Sequence, residues 1–332
     1  MGTKSAIFYD YPPADGDVFG QGRRDRISDL TDLYPEVVTA ANFDDHAAAL
    51  SEVEVIFATW GMPRFSDHHF DAMPNLKAVF YAAGNVKAFA GPLIQRDVTL
   101  ISAWGINAIP VSEMCLSQIL LSLRGYFRAA RQYRDLKTHE AKVFPRSGIF
   151  GDTVGLIGLG KIGARLRGLL SDYPIKVIAH DPFLTSDRAR ELAVESVSLQ
   201  ELFERSLVVS NHIPDLKSTQ GVLTGIQFEA MRDGATFINT GRGAQVVEDD
   251  LIRVLSARTD LTALLDVTSP EPPPQDSRLW TLPNVIISPH VGGTVGDEVV
   301  RLADCVIDEF ERWSTGQSLE YEVTAKVLET MG

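Results

Sequence analysis

Short apolar runs recur along the chain, and between them apolar positions fall at helical spacing. In the first third, AIFYDY, EVEVIFATW, LKAVFYAAG and VTLISAW read as strands, while DDHAAALSE and the segment around DHHFDAM read as helices. Residues 107 to about 135 read as one long helix, with Asn107 as N-cap, Glu113 in an early turn and Met114, Leu116, Ile119, Leu120 and Leu123 as its apolar face. Residues 136 to 152, with Pro145, Gly148 and Gly151, read as an irregular arm. Beyond it VGLIG, KVIAHD, LVVSNHIP, ATFINT, LTALLDV and NVIISPH read as strands. The helices between them are ARLRGLL, SDRARELAVES, SLQELFERS with a Ser198/Glu201 capping box, TGIQFEAMRDG with Thr224/Gln227 capping and Gly234 as its stop, and VEDDLIRVLSART. A last helix is expected over 294 to 315, capped by Thr294 and stopped by Gly316. Strands separated by helices define the α/β class with doubly wound parallel sheets, Rossmann-like or flavodoxin-like. The final helix, coming after the last strand, is expected to return to the first part of the chain. The expected division is therefore 1–103 plus 296–332 as one domain, with 104–295 inserted between its parts.

The stretch from Val154 to Asp181 gives the inserted domain its chemistry. An apolar strand breaks into Gly158-Leu159-Gly160-Lys161-Ile162-Gly163, a helix follows, and a second strand closes on Asp181. This is G-x-G-x-x-G in its strand–turn–helix–strand–acid context. Gly158 permits the turn, Gly160 lets a pyrophosphate approach the backbone, and Gly163 lets helix and strand pack. Unpaired N–H groups at the helix start receive the phosphates, and Asp181 receives the adenosine ribose hydroxyls. The reading is dinucleotide binding, with a purely structural turn as its alternative. Asp181, without an Arg directly after it, favours NAD; Arg188 nearby leaves NADP open.

Composition narrows the partners. The 332 residues suffice for two domains with their own cores, and 45% hydrophobic with 23% charged residues is ordinary for a globular protein. A net charge of -13 argues against nucleic acid or an anionic membrane, and means that an anionic substrate needs local positive groups. Cys115 and Cys305 lie far apart without CxxC spacing, so no disulfide scaffold or metal site is expected, and each reads as a buried thiol in a helix. The N-terminus carries no signal pattern, and Ala6 stands where a myristoylation motif needs Ser or Thr. The longest uncharged stretch, Val98 to Ser112, is too short to span a bilayer. The expectation is a soluble, cytoplasmic protein.

Polar residues at strand ends are the remaining signal. Asn239-Thr240-Gly241-Arg242-Gly243 follows ATFI, Asp266 and then Glu271 follow ALLDV, and His290-Val291-Gly292-Gly293 follows NVIISP. In a parallel sheet all three open on the edge that carries the glycine loop. A cation, an acid and an imidazole converging there read as hydride-transfer chemistry. His290 is the base, Glu271 fixes its tautomer, and Arg242 pairs with a substrate carboxylate and polarises the carbonyl. His212, with Pro214 following, lines the cofactor rather than acting as a second base; Pro214, Thr219, Gly241 and Gly292 are further expected cofactor contacts. Trp60 reads equally as core packing or pocket wall, and the N–H groups of Ala83-Gly84-Asn85 as further anion contacts. Arg124, Arg128, Arg131 and Arg134 form a solvated basic face, a subunit contact or part of a neighbouring active site.

These residues resemble a known family, the D-isomer-specific 2-hydroxyacid dehydrogenases. The matching runs are VGLIGLGKIG with HDP after it, SNHIPDLKSTQG, FEAMRDGATFINTGRG, LLDVTSPEPPP and LWTLPNVIISPHVGG. The resemblance implies two α/β domains with a cleft between them and a homodimer built on the cofactor domains. It also implies Arg242 as the substrate-orienting arginine, His290 as acid/base with Glu271 as its partner, and Asp266 and Thr240 near the nicotinamide carboxamide. Asn85-Val86-Lys87 departs from the acidic or aromatic pair common in the carboxylate loop, and Phe144 stands about where many relatives carry a Trp on the dimer arm. The expected substrates are small acids: glyoxylate, hydroxypyruvate or a glycerate-like molecule before phosphoglycerate. The alternatives are an NAD(H)-sensing corepressor-like interaction protein and an adenosylmethionine-dependent methyltransferase; the latter leaves Arg242, Glu271 and His290 unexplained.

Overall fold

In a computed structural model that describes residues 2–10, 16–137 and 148–331, five parallel strands form the first sheet. They are β1 (Lys4–Phe8), β2 (Asp32–Val38), β3 (Val55–Ala58), β4 (Ala78–Tyr81) and β5 (Thr99–Ser102), in the order β2-β1-β3-β4-β5. Helices α1 (Arg23–Leu30), α2 (Phe43–Leu50), α3 (Asp67–Ala72) and α4 (Ala90–Ile94) alternate with them. β3 and β4 are buried along their whole length, as continuous apolar runs in a parallel sheet require. α1 and β2 were not expected from the pattern. β2 carries Pro35, which survives because β2 is an edge strand paired to β1 alone. Its register also slips: Ser5 faces Leu33, yet Ile7 faces Val37.

The second sheet holds β6 (Thr153–Ile157), β7 (Lys176–His180), β8 (Glu195–Ser196), β9 (Val208–Asn211), β10 (Thr236–Asn239), β11 (Thr262–Leu265) and β12 (Val285–Ile287). Their order is β12-β11-β10-β9-β6-β7-β8, every pair parallel. Its helices are α5 (Trp104–Leu123), α6 (Tyr126–Leu136), α7 (Lys161–Leu169), α8 (Ser186–Glu191), α9 (Leu199–Arg205), α10 (Gly225–Glu229) and α11 (Glu248–Ala257). The segment expected as a single helix after Asp181 stops at Glu191; Ala193 takes a positive φ of 48° and the chain turns into β8. Phe203, Phe228 and Phe237 seat α9 and α10 on β10, with ring centroids 5.1 to 6.2 Å apart. Burying each ring contributes roughly 1.5–3 kcal/mol.

The long helix expected over 107–135 is two helices. Gly125, at φ 64°, ends α5 and starts α6. α5 begins at Trp104, so Asn107 lies inside it, and its Oδ1 accepts from the Thr294 N–H (2.9 Å) and hydroxyl (2.8 Å). Thr294 is thereby spent on Asn107 rather than on a cap. The last long helix, α12 (Val300–Ser314), starts only after a 3-10 turn over Gly296–Val299, and α13 (Ala325–Thr330) follows. By length and composition alone α5 could cross a membrane, but its Val111, Cys115, Ile119 and Leu123 are built into the core beneath the second sheet. Arg131 on α6, part exposed, donates to the carbonyls of Thr259 (2.7 Å) and Pro283 (3.3 Å). Phe144 and Pro145 lie outside the described residues.

The chain divides into two compact units, Met1–Asn107 with Thr294–Met331, and Ala108–Gly293. The inserted unit is thus slightly shorter than the 104–295 expected, because the first turn of α5 and Thr294 fold with the other unit. In that unit α12 lays Phe310 against Phe57 and Phe80, at 5.4 and 5.6 Å. Each sheet has a point where strand order reverses: β1/β3 in the first, β6/β9 in the second. In open α/β sheets ligands bind beyond the carboxyl ends of the strands at such points.

Candidate active site

Five neighbouring strands of the second sheet, β6, β9, β10, β11 and β12, each end in a loop that carries a polar residue singled out from the sequence. β6 runs into the glycine turn. Gly158 sits at φ 86°, open to glycine without strain, and a Cβ on Gly163 would lie 2.1 Å from the Gly158 carbonyl oxygen. A Cβ on Gly160 would meet nothing within 4 Å among the described residues. So Gly158 and Gly163 shape the turn, and Gly160 keeps its outer face clear at the N-terminus of α7. Lys161 is exposed there, while Ile162 packs on the core. Asp181, at the end of β7, accepts from the Leu159 N–H (2.7 Å) and the Phe183 N–H (2.8 Å). It therefore braces the glycine turn. Arg188 pairs with Glu191 at 2.6 Å.

Beyond β9, His212 is buried, its Nδ1 3.4 Å from the Thr240 hydroxyl, which in turn lies 3.2 Å from Cys115 Sγ. Burial pushes the His212 imidazole down to about 3 and the Cys115 thiol up to about 11, so both are neutral. Among the described residues His212 Nε2 has no hydrogen-bond partner. An orphaned buried nitrogen beside a clear glycine turn, with a carboxylate at the neighbouring strand end, is a donor and acceptor set that fits a dinucleotide. Thr219 behaves differently from its expected role as a cofactor contact. Its hydroxyl donates to Pro214 O (2.7 Å) and accepts from the Leu216 N–H (2.9 Å), so it ties up its own loop.

The loop after β10 carries Arg242, half-buried, whose Nη1 donates to Gly241 O at 2.7 Å. Sequence reasoning missed what holds this loop. Asn211, Asn239 and Gln245 are all buried and joined: Asn211 Nδ2 donates to Gln245 Oε1 (2.6 Å) and to Asn239 Oδ1 (3.0 Å). The available signal was a polar residue placed among apolar ones at a strand end, as in VVSNH and AQVV. Gly243 is required by the loop after β11, since a Cβ there would lie 1.9 Å from the Thr268 carbonyl carbon.

The loops after β11 and β12 carry the acid and the imidazole. His290 Nδ1 meets Glu271 Oε1 at 2.6 Å, with both side chains part exposed, 45% and 41%. His290 takes a positive φ of 55°, which costs a non-glycine residue on the order of 1 kcal/mol. Asp266, read as a nicotinamide contact, is buried and anchors this turn. It accepts from the Ser288 hydroxyl (2.6 Å), the Val291 N–H (2.9 Å) and the Gly292 N–H (2.8 Å).

Besides Arg242, the expected substrate contacts belong to the other unit, at the carboxyl ends of β3 and β4. Trp60 is part buried and packs on two apolar clusters of that unit. The Ala83 N–H is donated to Tyr81 O (2.9 Å), so it is unavailable to an anion. The N–H groups of Gly84 and Asn85 find no acceptor among the described residues, and Ser102 holds the loop through the carbonyls of Ala83 (2.8 Å) and Gly84 (2.5 Å).

A parallel sheet with a glycine turn, a terminal acid and catalytic-type side chains on adjacent strand ends defines a dinucleotide-binding α/β protein. Residues 116–292 match the model of the D-isomer specific 2-hydroxyacid dehydrogenase NAD binding domain. The chain belongs to the D-isomer-specific 2-hydroxyacid dehydrogenase family, and its second unit is that family's NAD-binding domain. D-3-phosphoglycerate dehydrogenase of Archaeoglobus fulgidus is 30% identical over 71% of this chain and 44% of its own length. Glyoxylate reductase of Korarchaeum cryptofilum is 27% identical over 75% of this chain and 76% of its own. The chain thus spans less than half of the first relative and about three quarters of the second. Among solved structures, the apo D-mandelate dehydrogenase of Rhodotorula graminis shares the fold, with a TM-score of 0.78, 22% identity and 97% coverage of both chains.

Proposed function

We propose that the chain interconverts a small D-2-hydroxy acid and its 2-keto acid with NAD, His290 serving as acid/base, Glu271 as its partner and Arg242 as the residue that orients the substrate. The 2.6 Å contact between His290 Nδ1 and Glu271 Oε1 carries this reading. Against an ionised carboxylate Nδ1 holds its proton, which leaves Nε2 as the nitrogen that exchanges one with substrate. A bound nicotinamide supplies the hydride for reduction and accepts it for oxidation. Toward reduction, protonated His290 gives its Nε2 proton to the carbonyl oxygen, and Glu271 steadies the imidazolium. Toward oxidation, neutral Nε2 takes the hydroxyl proton. Arg242 pairs with the carboxylate and polarises the carbonyl, a local positive charge in a chain of net charge -13. Trp60, Ala83, Gly84 and Asn85 are the substrate-side residues of this proposal, with the N–H groups of Gly84 and Asn85 as anion donors.

Glyoxylate, hydroxypyruvate and glycerate-like acids lead as substrates. Relatives named glyoxylate reductase and hydroxypyruvate reductase support that class. The proposal includes a cytoplasmic homodimer that acts without nucleic acid or membrane. The test is NADH oxidation against a panel of 2-keto acids, with NADPH in parallel. Turnover of one member is expected, and His290→Ala should cut it by roughly 10²–10⁴ while NADH still binds. Undiminished turnover in that variant removes His290 from the chemistry. Silence across the panel with NADH binding intact favours the corepressor-like reading instead.

A further inference from the structure

Arg242 stands between two glycines, so neither neighbour has a side chain to restrain the turn. Yet its backbone is fully engaged. The Arg242 N–H donates to Gln245 Oε1 (3.1 Å), and its carbonyl accepts from Asn239 Nδ2 (3.3 Å) and the Gln245 N–H (3.4 Å). Gln245 reaches further: its Nε2 donates to the carbonyls of Ile213 (2.7 Å) and Pro214 (3.1 Å), in the loop after β9. Asn211 completes the set, giving Nδ2 to Gln245 and Asn239 and accepting from the Ile213 N–H at 3.4 Å. The Gly241 N–H closes on Asn239 Oδ1 at 3.1 Å.

Every amide oxygen and nitrogen of the three side chains is paired, at positions 0–1% exposed. Stability alone does not call for such a set, because apolar residues of the same shape would fill the space without the cost of burying amides. What a fully satisfied network adds is a single geometry for the groups it holds. Here those groups are the backbone of Arg242 and the loop of His212.

We infer that Gln245, together with Asn211, is a positioning residue for the substrate-orienting arginine: it fixes the backbone of Arg242 between its glycines and ties it to the 211–214 loop. The inference rests on the role of Arg242 proposed above. It predicts that Gln245 acts on the substrate more than on the cofactor.

The test compares wild type, Gln245→Leu and the double variant Asn211→Leu/Gln245→Leu, which removes the facing amides together and so keeps a folded protein if the single variant is too unstable. Four quantities are read: KM and kcat for the 2-keto acid, the dissociation constant of NADH, and hydrogen exchange at the Arg242 N–H. The expectation is a KM raised about tenfold or more with a smaller fall in kcat, NADH affinity within about twofold, and faster exchange at Arg242. KM and kcat both near wild type would overturn the inference. So would a loss of NADH affinity equal to the loss in kcat/KM, since the network would then serve the cofactor loop. If wild type reduces no 2-keto acid, the proposed function fails; Arg242 exchange still decides whether Gln245 holds that turn.

Discussion

His212 shows how much a single buried side chain can report. In the unfolded chain an imidazole binds its proton near pH 6.5, but in the folded protein burial delays this to about 3. Between those values the unfolded state binds more protons, so stability rises with pH and the full contribution is present above about pH 6.5. It is lost on acidification, at about 1.4 kcal/mol per pH unit within the window. Denaturant midpoints measured at about pH 7 and about pH 5 should therefore fall further in wild type than in His212→Leu, which has no proton to bind. An equal fall in both would mean that His212 is solvated. An imidazole that takes up a proton only near 3 is too weak a base to serve as a second one, which supports the proposal that the part-exposed His290, held by Glu271, exchanges the proton.

At the scale of elements, the loops after β10 and β11 touch backbone to backbone at Gly243. Gly243→Ala places a methyl 1.9 Å from the Thr268 carbonyl carbon, so the loops must separate. The expected cost is roughly 1–3 kcal/mol by chemical denaturation, with loss of turnover from a displaced Arg242. Gly160→Ala is the matched control, because its methyl meets no atom of the described residues within 4 Å. It should unfold near the wild-type midpoint yet weaken NADH binding, where Gly243→Ala spares it. Equal stability for the two variants would mean that the loops slide freely. Several elements legible from sequence carry a plain local signal: an apolar run buried on both faces, such as VIFA or AVFY, or a capped helix such as the one that Thr224 and Gln227 start. β2 and β8 lack such a run; they form by pairing to β1 and β7, which local sequence does not announce.

For the whole molecule, the second unit leaves large apolar side chains in water. Tyr126, Tyr133 and Leu136 on α6 are 52–59% exposed, and Phe150 is 90% exposed. Such residues on one unit support the proposed homodimer. Sedimentation or light scattering should give twice the 36.4 kDa chain mass, and Tyr133→Glu with Phe150→Asp should move the protein toward monomer. A wild-type monomer at micromolar concentration would sink the dimer.

The sequence by itself determined the α/β class, the glycine turn with its acid, and the three residues proposed for the chemistry. Those features are local: a strand, a turn and a helix announce themselves within a few residues, and a polar side chain at a strand end stands out against its apolar run. Only the tertiary structure decided what Asp266 and Thr219 bind, that Asn107 holds Thr294, and that Asn211, Asn239 and Gln245 join beneath Arg242. Asn211 and Gln245 are 34 residues apart in the chain but lie on neighbouring strand ends. A buried amide must find its partners wherever the sheet brings them, and the order of strands in a sheet is set by packing between distant segments rather than by any segment alone.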